Sequence, residues 1–162
     1  NLTLAAVVSL SLGVSKKNIE NAAQGFVPKL SRSEWKRFLD MSVFCDFYNA
    51  SPTSMKHSIC AFIEKVADID SCVFVLGDMY ELGEHAPRFH KELGEFVSGQ
   101  GIKNIVYIGD YADSFSEGYG EKLEKYNTSS DYELSSLKSR GIRHVFVKAS
   151  RGVQMEKIFV DD

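Results

Sequence analysis

Hydrophobic positions along the chain change period several times, and each change marks an element. Leu2 to Leu12 is almost all small and apolar, which predicts a helix closed by Gly13, a usual residue just past a helix end. Ser15 caps a second helix running to about Gln24, with Ile19 and Ala22-Ala23 on its inner side and Gly25 closing it. Phe26 to Arg37 loses periodicity, carries Pro28, basic residues and Trp35, and reads as a connector with a short strand; a domain boundary is expected near residue 39. Beyond it, strands and helices alternate. Met41–Phe44 predicts a strand, and Pro52–Ala67 a helix with Met55, Ile59, Phe62, Ile63 and Val66 on one face. Cys72–Leu76 is a fully apolar strand, Pro87–Ser98 a helix burying Phe89, Leu93, Phe96 and Val97, and Ile105–Ile108 a third strand. Gly109-Asp110 opens a short helix. A brief strand near Leu123–Tyr126, a helix over Ser130–Ser139, a strand His144–Val147 and a helix-like segment Arg151–Phe159 complete the pattern.

Continuous apolar strands alternating with helices imply an α/β fold: a mostly parallel sheet with helices on both faces, preceded by a short helical leader. Composition adds constraints. With 162 residues, 44% hydrophobic and 25% charged, the chain can bury one sizeable core, and a net charge of −3 argues against a dedicated nucleic-acid binder. No apolar run approaches the roughly 18–20 residues that span a bilayer. Leu2 to Val14 lacks the basic leader and cleavage site of a signal peptide and reads as a buried helix. Cys45, Cys60 and Cys72 have no metal-binding or redox spacing, read as small buried thiols, and fit a reducing cytoplasm.

Polar residues gather at the strand ends. Asp46-Phe47-Tyr48-Asn49, Gly77-Asp78-Met79-Tyr80-Glu81 and Lys148-Ala149-Ser150-Arg151 each follow or end a strand, and in a parallel sheet these ends share one edge. The first loop also runs into a helix starting at Pro52, an arrangement that open sheets use for anions and nucleotides. The histidines His57, His85, His90 and His144 have no metal-ligand spacing, so no metal site is expected, and no Walker-type phosphate loop occurs in the chain.

The loops carry longer signatures. Asp46-Phe47-Tyr48-Asn49-Ala50-Ser51-Pro52-Thr53-Ser54-Met55 resembles Asp-x-Tyr-Asn-Ala-Asn-Pro-x-Ser-Met, with Ser51 for Asn. Leu76-Gly77-Asp78-Met79-Tyr80-Glu81-Leu82-Gly83 resembles Leu-Gly-Asp-Met-x-Glu-Leu-Gly, followed by His90-Lys91-Glu92-Leu93-Gly94. Lys148-Ala149-Ser150-Arg151 with Glu156 resembles Lys-Gly-Ser-Arg and a downstream Glu, with Ala149 for Gly. These are signatures of the Mur ligases, in the branch that joins D-alanyl-D-alanine to UDP-N-acetylmuramoyl-tripeptide in peptidoglycan precursor synthesis. Asn1 with Ala5 to Gly13 is similar to the end of the helix that begins His-Asn-x-x-Asn in that family, and Arg32 sits where the family has Gly-Arg.

The resemblance implies that residues 1–39 are the tail of a central ATP-binding domain plus linker, and residues 40–162 a Rossmann-like C-terminal domain. It implies an ATP-dependent ligase: ATP phosphorylates the tripeptide carboxylate, and the dipeptide amine attacks the acyl phosphate. Mg²⁺ would be held mainly by the central domain, and closure of the C-terminal domain would assemble the site. Implied ATP contacts are Asn1 to adenine, Arg32 to the phosphates and Asp46 to the ribose hydroxyls. Implied D-alanyl-D-alanine contacts are Asn49, Asp78, Lys148, Ser150 and Arg151. No catalytic residue is expected within this stretch, which alone should be inactive. The expected protein is a cytoplasmic monomer that binds neither nucleic acid nor membrane. Two other readings stand beside this one: a non-catalytic Rossmann-like binding module, and a receiver-type signalling domain whose acidic and lysine residues Asp46, Asp78 and Lys148 only loosely imitate.

Overall fold

The computed structural model describes residues 2–26, 32–120 and 122–160. Helices α1 (Leu2–Ser11) and α2 (Lys16–Gln24) open the chain, and Ser15 caps α2 by accepting the Asn18 N–H, as its residue type predicts. Neither helix buries a residue, so the apolar side chains Leu4, Val7, Leu10 and Leu12 of this leader face outwards.

The rest is built on a six-stranded sheet in the order β1-β2-β6-β3-β4-β5. Its strands are β1 (Glu34–Phe38), β2 (Met41–Cys45), β3 (Cys72–Gly77), β4 (Ile105–Ile108), β5 (Glu124–Tyr126) and β6 (His144–Lys148). All pairs are parallel except β1–β2, an antiparallel hairpin in which Phe38 lies opposite Met41. The turn at Leu39-Asp40, where the sequence places a domain boundary, therefore joins two paired strands of one sheet. The connector ends in an edge strand.

Alternation along the central strands sorts the core into two layers. Phe44, Phe74, Leu76, Tyr107 and Phe146 face helices α3 (Pro52–Ile63), α4 (Ala86–Gly99) and α5 (Ala112–Tyr119), meeting Met55, Ile59, Phe62, Leu93 and Phe115. The aromatic rings interlock: Phe146 lies 5.2 Å from Phe62, 5.5 Å from Phe74 and 5.8 Å from Phe44 between ring centroids. The opposite layer is valine-rich, with Val43, Val73, Val75, Val106, Val145 and Val147. It is covered by short 3₁₀ segments through Leu134, Leu137, Val153, Met155 and Ile158. The second face thus has 3₁₀ turns where a helix was expected over Ser130–Ser139, and the helix-like segment expected over Arg151–Phe159 consists of two short 3₁₀ turns. Leu134 and Leu137 are three residues apart, which is the 3₁₀ repeat.

Helix α3 stops at Ile63, before the expected Ala67. Its start shows why position 51 accepts serine. Ser51 caps the helix by accepting the Ser54 N–H, while the Ser54 hydroxyl accepts the Ser51 N–H, a capping role that Asn could also fill. Helices α4 and α5 approach through glycine: a Cβ on Gly94 would meet the Phe115 carbonyl, and one on Gly118 the Lys91 carbonyl.

Candidate functional site

Because β2, β6 and β3 are adjacent and parallel, their C-terminal ends meet at one edge, as the sequence implied. Lys148, the last residue of β6, is 2% exposed. Its ammonium donates to Asp46 Oδ2 at 2.7 Å, to the Asp46 carbonyl at 3.3 Å and to the Asn49 carbonyl at 3.0 Å. Those three bonds use every proton it has. A buried ammonium requires such pairing, and here the pairing pins the β2–α3 loop to the end of β6.

Asp46 is the hub of this corner. Besides Lys148, Oδ2 accepts the Ser58 hydroxyl at 2.8 Å from α3. Oδ1 faces the connector and accepts the Ser33 N–H at 3.0 Å and the Ser33 hydroxyl at 3.3 Å. The neighbouring guanidinium of Arg32 lies 3.8 Å above the Tyr48 ring centroid, a cation–π contact. The Asn49 side chain turns back to accept the Ala50 N–H at 2.9 Å, while the residue itself is exposed.

Asp78, following β3, organises a second corner. It is buried, and its carboxylate accepts the Tyr107 hydroxyl at 3.1 Å and the N–H groups of Asp110 at 2.9 Å and Tyr111 at 3.2 Å. Burial pushes its pKa above the ordinary 3.8, opposed by those three donors and by nearby His90. Its backbone carbonyl accepts the Ser150 N–H at 2.9 Å, and the Ser150 hydroxyl accepts the Tyr80 N–H at 2.8 Å. Asp78 and Ser150 together therefore shape the loop after β3. Fully buried His90 braces it from α4: Nε2 accepts the Met79 N–H at 2.9 Å, so Nδ1 carries the proton and donates to the Ala86 carbonyl at 2.6 Å. Its ring stacks on Tyr111 at 4.4 Å, and burial lowers its pKa below 6.5.

Beside this corner lies a polar cleft of about 390 Å³, floored by Asp78 and walled by Tyr80, Asp110, Asn127, Gln154 and Lys157. Its size falls within the range of small-ligand sites. Arg151 does not line it; its guanidinium pairs with Glu156 at 3.0 Å in a largely exposed bridge. Asn1, the expected adenine contact, lies outside the described residues. Among those residues no group of three or more His, Cys, Asp or Glu side chains could hold a metal ion.

No protein-family model matches the chain. Curated relatives do. The UDP-N-acetylmuramoyl-tripeptide–D-alanyl-D-alanine ligase of Bacillus subtilis is 35% identical over 127 residues, 75% of this chain and 28% of the relative. That of Mycobacterium tuberculosis is 30% identical over 131 residues, 77% of this chain and 26% of the relative. A MurF crystal structure from Acinetobacter baumannii superposes with a TM-score of 0.82 at 26% identity, covering 97% of this chain and 35% of that one. The chain belongs with the C-terminal regions of the Mur ligases.

It spans about a quarter of the length of these curated relatives. A further MurF ligase structure, from Thermotoga maritima, is a complex with ADP and aligns with a TM-score of 0.73 at 25% identity, over 94% of this chain and 34% of that one. Against this Mur ligase background the alternatives of a binding module and a receiver domain are not favoured. A fourth strand end borders the cleft in this Mur ligase region. Gly109-Asp110 also follows a parallel strand, β4, and the same reasoning would have found Asp110 at the cleft. Lys157 and Gln154 carried no such signal, because the 3₁₀ turns that place them have no α-helical period.

Proposed function

We propose that this chain is the C-terminal part of an ATP-dependent ligase that joins D-alanyl-D-alanine to UDP-N-acetylmuramoyl-tripeptide, as the names of its relatives describe. The observation that supports it most is the convergence of three motif-bearing loops, around Asp46, Asp78 and Ser150, on one edge of the sheet. In the proposed reaction the γ-phosphoryl of ATP passes to the tripeptide carboxylate, releasing ADP. The dipeptide amine then attacks that carbonyl, and inorganic phosphate leaves as the amide forms.

The two corners divide the work. The Asp46 corner, with Arg32 beside it, faces the nucleotide: Asp46 receives the ribose hydroxyls and Arg32 the phosphates. The cleft takes the dipeptide. A zwitterion needs a carboxylate near its ammonium and a cation near its carboxylate, and the cleft walls offer Asp110 and Lys157. Arg151, next in sequence to Gly152 of the cleft wall, is a second cation that could turn towards it, since its exposed pair with Glu156 costs little to open. Asp78, Lys148 and Ser150 act by fixing the loops, since their polar atoms are already engaged, and Asn49 borders the nucleotide corner. No cluster of the described residues fits Mg²⁺, so no step is assigned to it here. The unit begins ahead of β1, and the protein works in the cytoplasm as a monomer; among the described residues no helix is long and apolar enough to cross a membrane.

The test is substrate-dependent ADP release by the full-length protein. With UDP-N-acetylmuramoyl-tripeptide and ATP present, adding D-alanyl-D-alanine should raise steady ADP release at least ten-fold and yield the pentapeptide product. ADP release indifferent to the dipeptide would overturn the reading.

A further inference from the structure

The Asp46 carboxylate is full. Four donors, the Ser58 hydroxyl, the Lys148 ammonium, the Ser33 N–H and the Ser33 hydroxyl, occupy the roughly four lone-pair positions a carboxylate has. The two sides of the group differ. Oδ2 is held at 2.7 and 2.8 Å by Lys148 and Ser58, which belong to the folded domain. Among the described residues Oδ1 is held only by the connector, at 3.0 and 3.3 Å, and both of those bonds are exposed. Ser33 makes them with a backbone φ of +51°, a conformation that side-chain-bearing residues adopt infrequently. The residue before it, Arg32, lies stacked on Tyr48 of the same loop.

We propose that Ser33 is an internal competitor for the nucleotide: it occupies the ribose-accepting face of Asp46 and fastens the connector until a nucleotide hydroxyl displaces it. The inference rests on the reading of Asp46 as the ribose acceptor. Its physical basis is exchange at Oδ1. A ribose hydroxyl can reach Asp46 only by taking a position now filled, and the longest bond, from the exposed Ser33 hydroxyl, is the first to yield. Once that bond opens, the Ser33 N–H is the remaining tie of Ser33 to Asp46; as the ribose takes Oδ1 that tie yields too, and Arg32, one residue away, can leave Tyr48 for the phosphates. Nucleotide binding and connector release are then one event, with reciprocal energetics.

The prediction runs against ordinary intuition, because deleting a hydrogen bond should tighten binding. In the full-length protein, titrated with ADP by calorimetry, Ser33→Ala should lower the Kd about five-fold, the factor expected when one long, solvent-exposed hydrogen bond no longer has to be exchanged. Asp46→Asn should weaken ADP binding in the same assay. Hydrogen exchange offers an independent readout: ADP should speed exchange of the Ser33 amide in the wild type. If Asp46→Asn leaves the Kd unchanged, the ribose reading of Asp46 falls and the competitor role with it. If Asp46→Asn weakens binding while Ser33→Ala leaves the Kd unchanged or raises it, the competitor role alone is overturned. Ser33 is exposed, so its variant should melt with the wild type, which a thermal scan confirms.

Discussion

At the scale of single residues, the edge is held by groups whose polar capacity is already spent. Lys148 illustrates it: a lysine at a strand end reads in sequence as a cation for a substrate, yet all three of its protons bond to the β2–α3 loop. That outcome was not legible, because Asp46 and Lys148 lie 102 residues apart and meet only through the pairing of β2 with β6. Removing the ammonium leaves Asp46 facing Ser58 and Ser33 without its counter-charge. Lys148→Ala should lower unfolding free energy by about 3 kcal/mol in urea titrations, in line with breaking a buried pair; a loss under about 1 kcal/mol would show the pair to be incidental. His90 gives a pH signature. Its folded pKa lies below 6.5, so the unfolded chain binds more protons than the fold in the window beneath 6.5. Stability is full above that value and declines as pH falls through it. Asp78, whose folded pKa is raised above 3.8, contributes with the opposite sign, favouring the fold in acid. Comparing wild type with His90→Gln between pH 7 and 5 isolates the histidine: the wild type should lose stability over this range and the variant should lose markedly less. Equal slopes would contradict the assignment.

At the scale of elements, hydrophobic period revealed what it physically controls. The central strands β2, β3, β4 and β6 are continuous apolar runs because both faces are covered, and each lies within a residue of its expected position. The second layer was harder to see, since Leu134 and Leu137 at a spacing of three residues fit a 3₁₀ turn as well as a helix face. Strand β1 was expected only as a short strand somewhere in the connector, because its exposed residues Trp35, Lys36 and Arg37 show no burial alternation that would set its bounds, as on many edge strands. The α4–α5 contact makes a sharp prediction. Gly118 lies against the Lys91 carbonyl, so Gly118→Ala must push α5 away from α4. The cost should be about 2 kcal/mol, the order found for overpacked interiors, measured by chemical denaturation. A neutral substitution would mean that the helices separate freely.

At the scale of the whole molecule, the claim is that one edge of the sheet faces ligands and the other does not. The strand-end loops carry the motifs, the full carboxylate of Asp46 and the 390 Å³ cleft. The opposite edge carries exposed ion pairs, such as Lys103 with Asp70 and Arg140 with Glu124, that belong to a solvated surface. Hydrogen–deuterium exchange on the full-length protein, with and without ADP and D-alanyl-D-alanine together, separates these edges in one experiment. Protection should appear in residues 46–50, 78–82, 109–111 and 150–157, with residues 68–71, 103–104 and 140–143 unchanged. Protection confined to the latter segments, or absent from all of them while the ligands are bound, would contradict the account.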